Sequence, residues 1–242
     1  MRWVLVRGAS LRPSISAFFP AYNDAGSIGD LVRTVDATLR EVSDDYEIIV
    51  VNDGSSDATA EVLEGVARDV PRLRVVTHAV NRGYGGALQS GFRAATKELV
   101  FYTDGDGQYD PAELTALVRA LEAGHVDVAQ GYKIARQDPL HRVVIGRLYH
   151  AVVRAAFGLR VRDVDCDFRL IRRSALDGVE LTARSGAICV ELVRKVQDGG
   201  ATFVEVPVHH YPRRHGQSAA FRPKQVAAML RDLGRLWLRL RR

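Results

Sequence analysis

Two periods of hydrophobicity share the first half of the chain. Residues 14–19, 46–51, 73–78, 98–103 and 126–131 are short apolar runs bounded by polar or turn-forming residues, and they read as strands. Between them, residues 27–41, 57–69, 85–95 and 111–123 repeat apolar positions at helical spacing. Ser27 and Asp110 stand where N-caps are expected, with Pro111 opening the last of these helices. Strands alternating with helices across short polar connections predict an α/β fold, a mostly parallel central sheet flanked by helices. In the second half, residues 205–208 read as a strand end. Residues 139–157 and the stripe Val226, Met229, Leu230, Leu233, Trp237 and Leu240 read as basic amphipathic helices.

Ligands of open parallel sheets collect beyond the carboxyl ends of the strands. Polar clusters occupy those places: Pro20-Ala21-Tyr22-Asn23-Asp24, Asn52-Asp53-Gly54-Ser55, Asn81-Arg82-Gly83 and Asp104-Gly105-Asp106-Gly107-Gln108. Continued at strand spacing, Asp104, Asp106 and Gln108 share one face. Oxygen donors of this kind suit Mg²⁺ or Mn²⁺, which needs only one or two protein groups when substrate phosphates supply the rest. A bare Asp-Gly-Asp is more often a surface turn. Four such clusters pointing to one cleft favour a site. An EF-hand loop counted from Asp104 fails at its sixth position, Tyr109, and its twelfth, Thr115. A dinucleotide fingerprint starting at Gly83 fails at Leu88, and no phosphate-binding loop of the P-loop type is present.

With 242 residues, 47% of them hydrophobic, the chain can bury a sizeable core. Two cysteines, Cys166 and Cys189, provide neither a disulfide framework nor metal-ligand spacing, which suits a reducing cytoplasm. Residues 1–13 read as a leader, and no run approaches the ~20 apolar residues of a membrane span, so a peripheral membrane contact is expected. Charge is polarised along the chain, −7 over residues 1–132 and +8 over residues 209–242. Without a zinc-finger or RNA-recognition motif, that basic end points to anionic lipid or phosphate rather than nucleic acid.

Phe19-Pro20-Ala21-Tyr22-Asn23-Asp24, Val51-Asn52-Asp53-Gly54-Ser55-Ser56-Asp57, Asn81-Arg82-Gly83-Tyr84-Gly85-Gly86-Ala87 and Asp104-Gly105-Asp106-Gly107-Gln108 occur in an order that resembles the family 2 glycosyltransferases. Their fold is the Rossmann-like GT-A fold of nucleotide-diphospho-sugar transferases, and the pattern looks most like the dolichyl- or polyprenyl-phosphate sugar synthases, the dolichyl-phosphate mannosyltransferases among them. The resemblance implies a GT-A domain over residues 14–220, with a donor half at 14–132 and an acceptor half at 133–220; the stretch read as a basic amphipathic helix follows at 221–242. It implies that Pro20, Tyr22, Asp24 and Asp53 hold base and ribose of the donor, and that Asp104, Asp106 and Gln108 handle ribose, Mg²⁺ or Mn²⁺, and diphosphate. Asp24 stands where the family often has Glu, and Asn52 where it often has Asp. Arg82, Gly83 and Lys133 are further donor-side candidates, the cations because a nucleotide diphosphate leaves with concentrated negative charge.

Asp163-Val164-Asp165-Cys166-Asp167-Phe168-Arg169-Leu170 alternates acidic groups ahead of an apolar and basic run, and by residue type alone it reads equally as a charged loop entering an edge strand. By resemblance its Phe-Arg pair lies beside the reacting sugar, which makes Asp167 the first candidate catalytic carboxylate and Asp165 the second, with Arg169 on the acceptor phosphate. Arg213, Gly216 and Ser218 match an Arg-x-x-Gly-x-Ser element implied to cover phosphates. His209, His210 and His215 read as solvated or hydrogen-bonded rather than zinc-binding. The expected activity is inverting, metal-dependent transfer of a hexose from a nucleotide diphosphate sugar of the GDP-mannose or UDP-glucose type to an isoprenoid lipid phosphate, at the cytoplasmic membrane face. Transfer to a hydroxyl acceptor is the enzymatic alternative, and a non-catalytic nucleotide-sugar binder the alternative of another class.

Overall fold

The computed structural model describes residues 12–134, 140–213 and 223–240. Its strands β1 (Ile15–Ala21), β2 (Tyr46–Asn52), β3 (Leu73–Thr77), β4 (Leu99–Thr103), β5 (Val128–Ile134), β6 (Phe168–Arg172) and β7 (Phe203–His209) form one seven-stranded sheet in the order β3-β2-β1-β4-β6-β5-β7. Parallel pairing joins β1 to β2 and β4, β2 to β3, and β5 to β7. β6 alone runs against its neighbours β4 and β5.

Alternation along the strands sorts side chains into two apolar layers, because successive residues of a strand face opposite sides of the sheet. Ile15, Ala17, Phe19 and Ala21 of β1 join Ile48 and Val50 of β2 in one layer, under α1 (Ile28–Val42), α2 (Thr59–Asp69) and α4 (Leu114–Gly124). Phe18, Ile49 and Val51 face the other layer, covered by α3 (Tyr84–Ala94), α5 (Leu140–Phe157), α6 (Ala187–Asp198) and α7 (Pro223–Leu240). Each large apolar side chain so buried contributes about 1.5–3 kcal/mol relative to exposure. The α/β fold read from periodicity is therefore the observed one.

Details differ for local reasons. Ser27 places no side-chain cap on α1. Its Oγ instead donates to the Gly105 carbonyl at 2.9 Å, tying the helix start to the turn after β4. Asp110 does cap, accepting from the Ala112 N–H at 3.0 Å, although the residues it opens, Pro111–Glu113, form a 3₁₀ turn before α4. β1 is the topological switch: β2 and β3 build outward on one side of it, and β4 lies on the other. Loops leaving β1 and β4 meet there, at the carboxyl edge where the ligand crevice of an open sheet lies. Gly105 permits that geometry, since a Cβ at this position would approach the Pro20 carbonyl oxygen to 2.5 Å.

The expected C-terminal helix exists, but its inner side belongs to the core. Leu233 and Leu236 are buried, Trp237 packs against them, and Asp232 accepts from the Ser185 hydroxyl at 2.8 Å. Residues 1–11, 135–139, 214–222 and 241–242 lie outside the described residues, and with them Ser218, Gly216, His215 and most of the expected leader.

Candidate active site

Asp104, Asp106 and Gln108 lie on one turn rather than along a continued strand. β4 ends at Thr103, and the chain reverses through Gly107 at φ +73°. Asp106 Oδ1 accepts the Gln108 N–H at 3.1 Å, the side-chain-to-backbone bond that shapes such turns. Asp104 Oδ1 accepts from the Tyr84 hydroxyl at 2.8 Å. Asp106 Oδ2 pairs with Arg213 Nη2 at 2.5 Å. Gln108 and Tyr211 exchange two bonds, Tyr211 N–H to the Gln108 carbonyl at 2.8 Å and Gln108 Nε2 to the Tyr211 carbonyl at 3.0 Å. The segment after β7 is thereby strapped across the acidic turn.

Carboxylates crowd this crevice. Burial, then the neighbouring Asp167 and Asp106, push the Asp104 carboxyl well above the usual carboxylate range, against the Tyr84 hydroxyl and Lys133. Burial also raises Asp24, whose Oδ2 accepts the Tyr22 N–H at 3.0 Å and which feels Arg213 and Asp106. Acidic groups held together at this cost want a cation, and Arg213 provides one. Among the described residues no three His, Cys, Asp or Glu side chains are close enough to enclose an ion by themselves. The donor set still fits Mg²⁺ or Mn²⁺ completed by a diphosphate, because such ions take one or two carboxylates and retain water or phosphate oxygens elsewhere.

Loops after β1 and β2 form the other wall. Asn23, at φ +57°, accepts the Ser56 N–H on its Oδ1 at 2.8 Å, and its own N–H donates to Ser55 Oγ at 3.0 Å. Gly54 adopts φ +69° directly against the backbone of Val80 and Asn81, so the second and third polar clusters touch. Asp53 is buried, and its Oδ1 accepts the Arg82 N–H at 2.8 Å. Tyr22 is 49% exposed at the rim, Pro20 is buried within β1, and Arg82 is exposed beside the half-buried Gly83 that opens α3. Pro20 thus shapes the floor through its carbonyl instead of presenting an open ring.

The acceptor-side residues are rearranged relative to expectation. Arg169 does not face a phosphate: it is 1% exposed, on the rung of the sheet where it pairs with Tyr102 of β4 and Gln130 of β5. Its guanidinium donates to the Tyr102 hydroxyl, to Gln130 Oε1, and through Nη2 to the carbonyls of Val164 and Cys166 at 3.1 and 3.4 Å. A buried charge must be satisfied this way, and the consequence is that Arg169 braces the loop carrying Asp165 and Asp167. Lys133 sits at the end of β5 and donates to the Asp165 carbonyl at 2.8 Å, so it too holds this loop, within electrostatic reach of Asp104 and Asp167.

Asp167 is buried beside the crevice, its Oδ1 accepting from Cys189 Sγ at 3.1 Å and from the Tyr102 hydroxyl at 3.4 Å. Burial raises its carboxyl, opposed by Arg169, Cys189 and Lys133. Asp165 is more open and pairs with His150 Nε2 of α5 at 3.0 Å. Burial also keeps Cys166, pushed up to about 12, and Cys189 as thiols. Tyr84, His150 and Cys189 escape a reading of the sequence because no spacing connects them to the carboxylates they touch. Tyr84 alone carried a local hint, inside the Gly83-Tyr84-Gly85-Gly86 helix opening.

Comparison with known proteins adds three findings. The family model described as glycosyl transferase family 2 matches residues 16–179. The undecaprenyl-phosphate 4-deoxy-4-formamido-L-arabinose transferase of Pseudomonas fluorescens is 32% identical over 223 residues, 90% of this chain and 63% of that protein. Its counterpart from an Enterobacter species is 32% identical over 206 residues, 84% of this chain and 62% of that protein. The chain therefore spans somewhat under two thirds of the length of these relatives.

Among solved structures, glucosyl-3-phosphoglycerate synthase from Mycobacterium tuberculosis, in complex with Mn²⁺, UDP and phosphoglyceric acid, superposes at a TM-score of 0.71 with 21% identity, covering 93% of this chain and 78% of that one. The same synthase with Mg²⁺ and UDP superposes at 0.69 with 20% identity, covering 93% and 78%. That likeness identifies the fold as GT-A. Because the family model covers more than half of the residues and spans the crevice from β1 through the Asp165 and Asp167 loop, the chain belongs to glycosyl transferase family 2.

Proposed function

We propose that this protein is an inverting, metal-dependent glycosyltransferase that moves a sugar from a nucleotide diphosphate donor to a polyprenyl phosphate. The observation that carries the acceptor is the name shared by the two relatives above, each a transferase to undecaprenyl phosphate at 32% identity. UDP and UDP-glucose in solved neighbours support a uridine donor over GDP-mannose, and the arabinose derivative named for the relatives widens the sugar beyond a hexose.

In this reading Tyr22, Asp24 and Asp53 hold the nucleoside, and Asp104, Asp106 and Gln108 take the divalent cation with the diphosphate. When bound, that cation supplies charge stabilisation to the departing diphosphate. Arg213, relieved of Asp106, turns its guanidinium to the phosphates. A lipid monophosphate, with a second pKa near ~6, is substantially dianionic at neutral pH and attacks the anomeric carbon without a base. Asp167 then positions the reacting groups. A hydroxyl acceptor is the second reading, favoured by the phosphoglyceric acid in the solved neighbour, and there Asp167 is the general base.

No helix among the described residues is long and apolar enough to cross a membrane. In this reading the lipid is met at the cytoplasmic surface by the outward side chains Leu148 and Val152 of α5 and Leu230 and Leu238 of α7, each more than half exposed, the last two amid the basic C-terminal segment. The test is a panel of UDP- and GDP-sugars assayed for nucleotide diphosphate release with undecaprenyl phosphate, with phosphoglycerate, and with neither. Release that requires the lipid is the expected result. Release driven by phosphoglycerate alone selects the second reading, and absence of turnover with every pair refutes both.

A further inference from the structure

Asp53 is held by two buried side chains for which the reaction has no use. His78, just beyond β3 and 4% exposed, places Nδ1 2.6 Å from Asp53 Oδ1, and its Nε2 lies 2.9 Å from Ser90 Oγ of α3. The imidazole is fixed from the backbone as well, since the His78 N–H donates to the Asn52 carbonyl at 2.9 Å. No ionised partner other than Asp53 is within ion-pair distance of the ring among the described residues.

Proton bookkeeping gives the arrangement a direction. The Arg82 N–H can only donate, so Asp53 Oδ1 is an acceptor, and Nδ1 of His78 is the second donor to it. A neutral imidazole protonated at Nδ1 leaves Nε2 as an acceptor, which the rotatable Ser90 hydroxyl fills. Serine, histidine and aspartate in a row are the constituents of a hydrolase triad, yet here the hydroxyl is 9% exposed and inside a helix, where no substrate carbonyl can reach it. The order of support is therefore reversed: Ser90 anchors His78, and His78 anchors Asp53. Two donors on Oδ1 fix the carboxylate rotamer and leave Oδ2, without a hydrogen bond among the described residues, to a ligand.

We propose that His78, backed by Ser90, is a positioning residue of the nucleotide site: it holds Asp53 in one rotamer, so that Oδ2 accepts an N–H from the donor's base. This inference rests on the glycosyltransferase reading and deepens it. It touches no metal ligand, and so it predicts an effect on nucleotide affinity separate from metal affinity.

The experiment compares His78→Leu, His78→Asn and Ser90→Ala with the parent, titrating UDP and GDP in the presence of Mn²⁺ by calorimetry, and measuring donor KM, kcat and Tm. His78→Leu should weaken binding of the preferred nucleotide about tenfold or more and raise donor KM with kcat nearly unchanged, the pattern of lost ground-state binding. His78→Asn should restore most of the affinity, because its amide N–H can occupy the place of Nδ1–H. Ser90→Ala should fall between them at nearly parental Tm, and it carries the test if His78→Leu does not fold. Parental nucleotide affinity in both His78→Leu and Ser90→Ala overturns the inference, as does an equal fall in Tm and kcat for the Leu and Asn variants, which is a packing role. Binding is read without turnover: a parent that binds nucleotide but glycosylates no lipid refutes the proposed function and leaves His78 standing, whereas a parent that binds neither nucleotide refutes both.

Discussion

Replacing Arg213 with glutamine should tighten metal binding to the nucleotide-free protein, even though it removes a group that the proposed reaction turns to the phosphates. Arg213 Nη2 lies 2.5 Å from Asp106 Oδ2, with the carboxylate side chain 7% exposed and the arginine 27% exposed. A divalent cation entering at Asp106 must first displace this guanidinium. A hydrogen bond between charged groups is worth about 1.5–3 kcal/mol, and the partly open arginine belongs toward the lower end of that range. Releasing the carboxylate should then lower the Mn²⁺ dissociation constant by about tenfold, and by no more than about a hundredfold. Titration of free Mn²⁺ by electron paramagnetic resonance reads this directly, without substrate. Arg213→Lys should keep much of the competition. With UDP present the order should invert, since the diphosphate then loses a counter-charge. A dissociation constant for Arg213→Gln that is unchanged or weaker in the absence of nucleotide refutes the reasoning, and would mean that the turn 104–108 needs the strap of residues 209–213 to hold its shape.

Three further outcomes follow from the same contacts. Asp104 has its carboxyl raised by burial and by Asp167 and Asp106, so as pH climbs from the ordinary carboxyl value of ~3.9 the unfolded chain ionises first and the metal-free native state loses stability; Asp104→Asn should show a higher Tm than the parent at neutral pH and an equal one near pH ~4, and a lower Tm at neutral pH would count against the crowding. Asp167→Asn should cut kcat strongly with a hydroxyl acceptor and only modestly with a lipid phosphate, at similar donor affinity, so a parental kcat with both acceptors would remove Asp167 from the chemistry. Leu230→Ser combined with Leu238→Ser, both in side chains more than half exposed, should reduce sedimentation with anionic vesicles while leaving Tm and UDP binding in place; unchanged sedimentation would move the membrane contact off α7. Deleting residues 231–242 is a poorer test of that idea, because Leu233 and Leu236 belong to the core.

The sequence by itself determined the strands of the first half, their two faces and the edge where the polar clusters gather, but not β6, which it read as an edge strand and which lies inside the sheet. Alternation in β1 and β2 assigns Phe18 and Phe19, or Ile49 and Val50, to opposite layers without knowledge of any partner, because side-chain direction in a strand depends only on position along it. The polar clusters after β1, β2, β3 and β4 were legible for the same reason: strand ends are local features, and the parallel topology that alternation with helices implies brings those ends to one edge. What only the tertiary structure decided is which side chains meet across that edge. Arg213 reaches Asp106 from 107 residues away, and Arg169 reaches Tyr102 from 67. Family resemblance alone puts Arg169 on the acceptor phosphate; it is a buried brace because β6, inserted antiparallel between β4 and β5, turns it onto an interior rung. His78 and Ser90 carried no signal at all, one at a strand end and one on a helix. Local periodicity specifies the direction in which a side chain leaves its element, but hydrogen bonds between elements depend on register and packing distance, and those are set only when the two apolar layers close on the sheet.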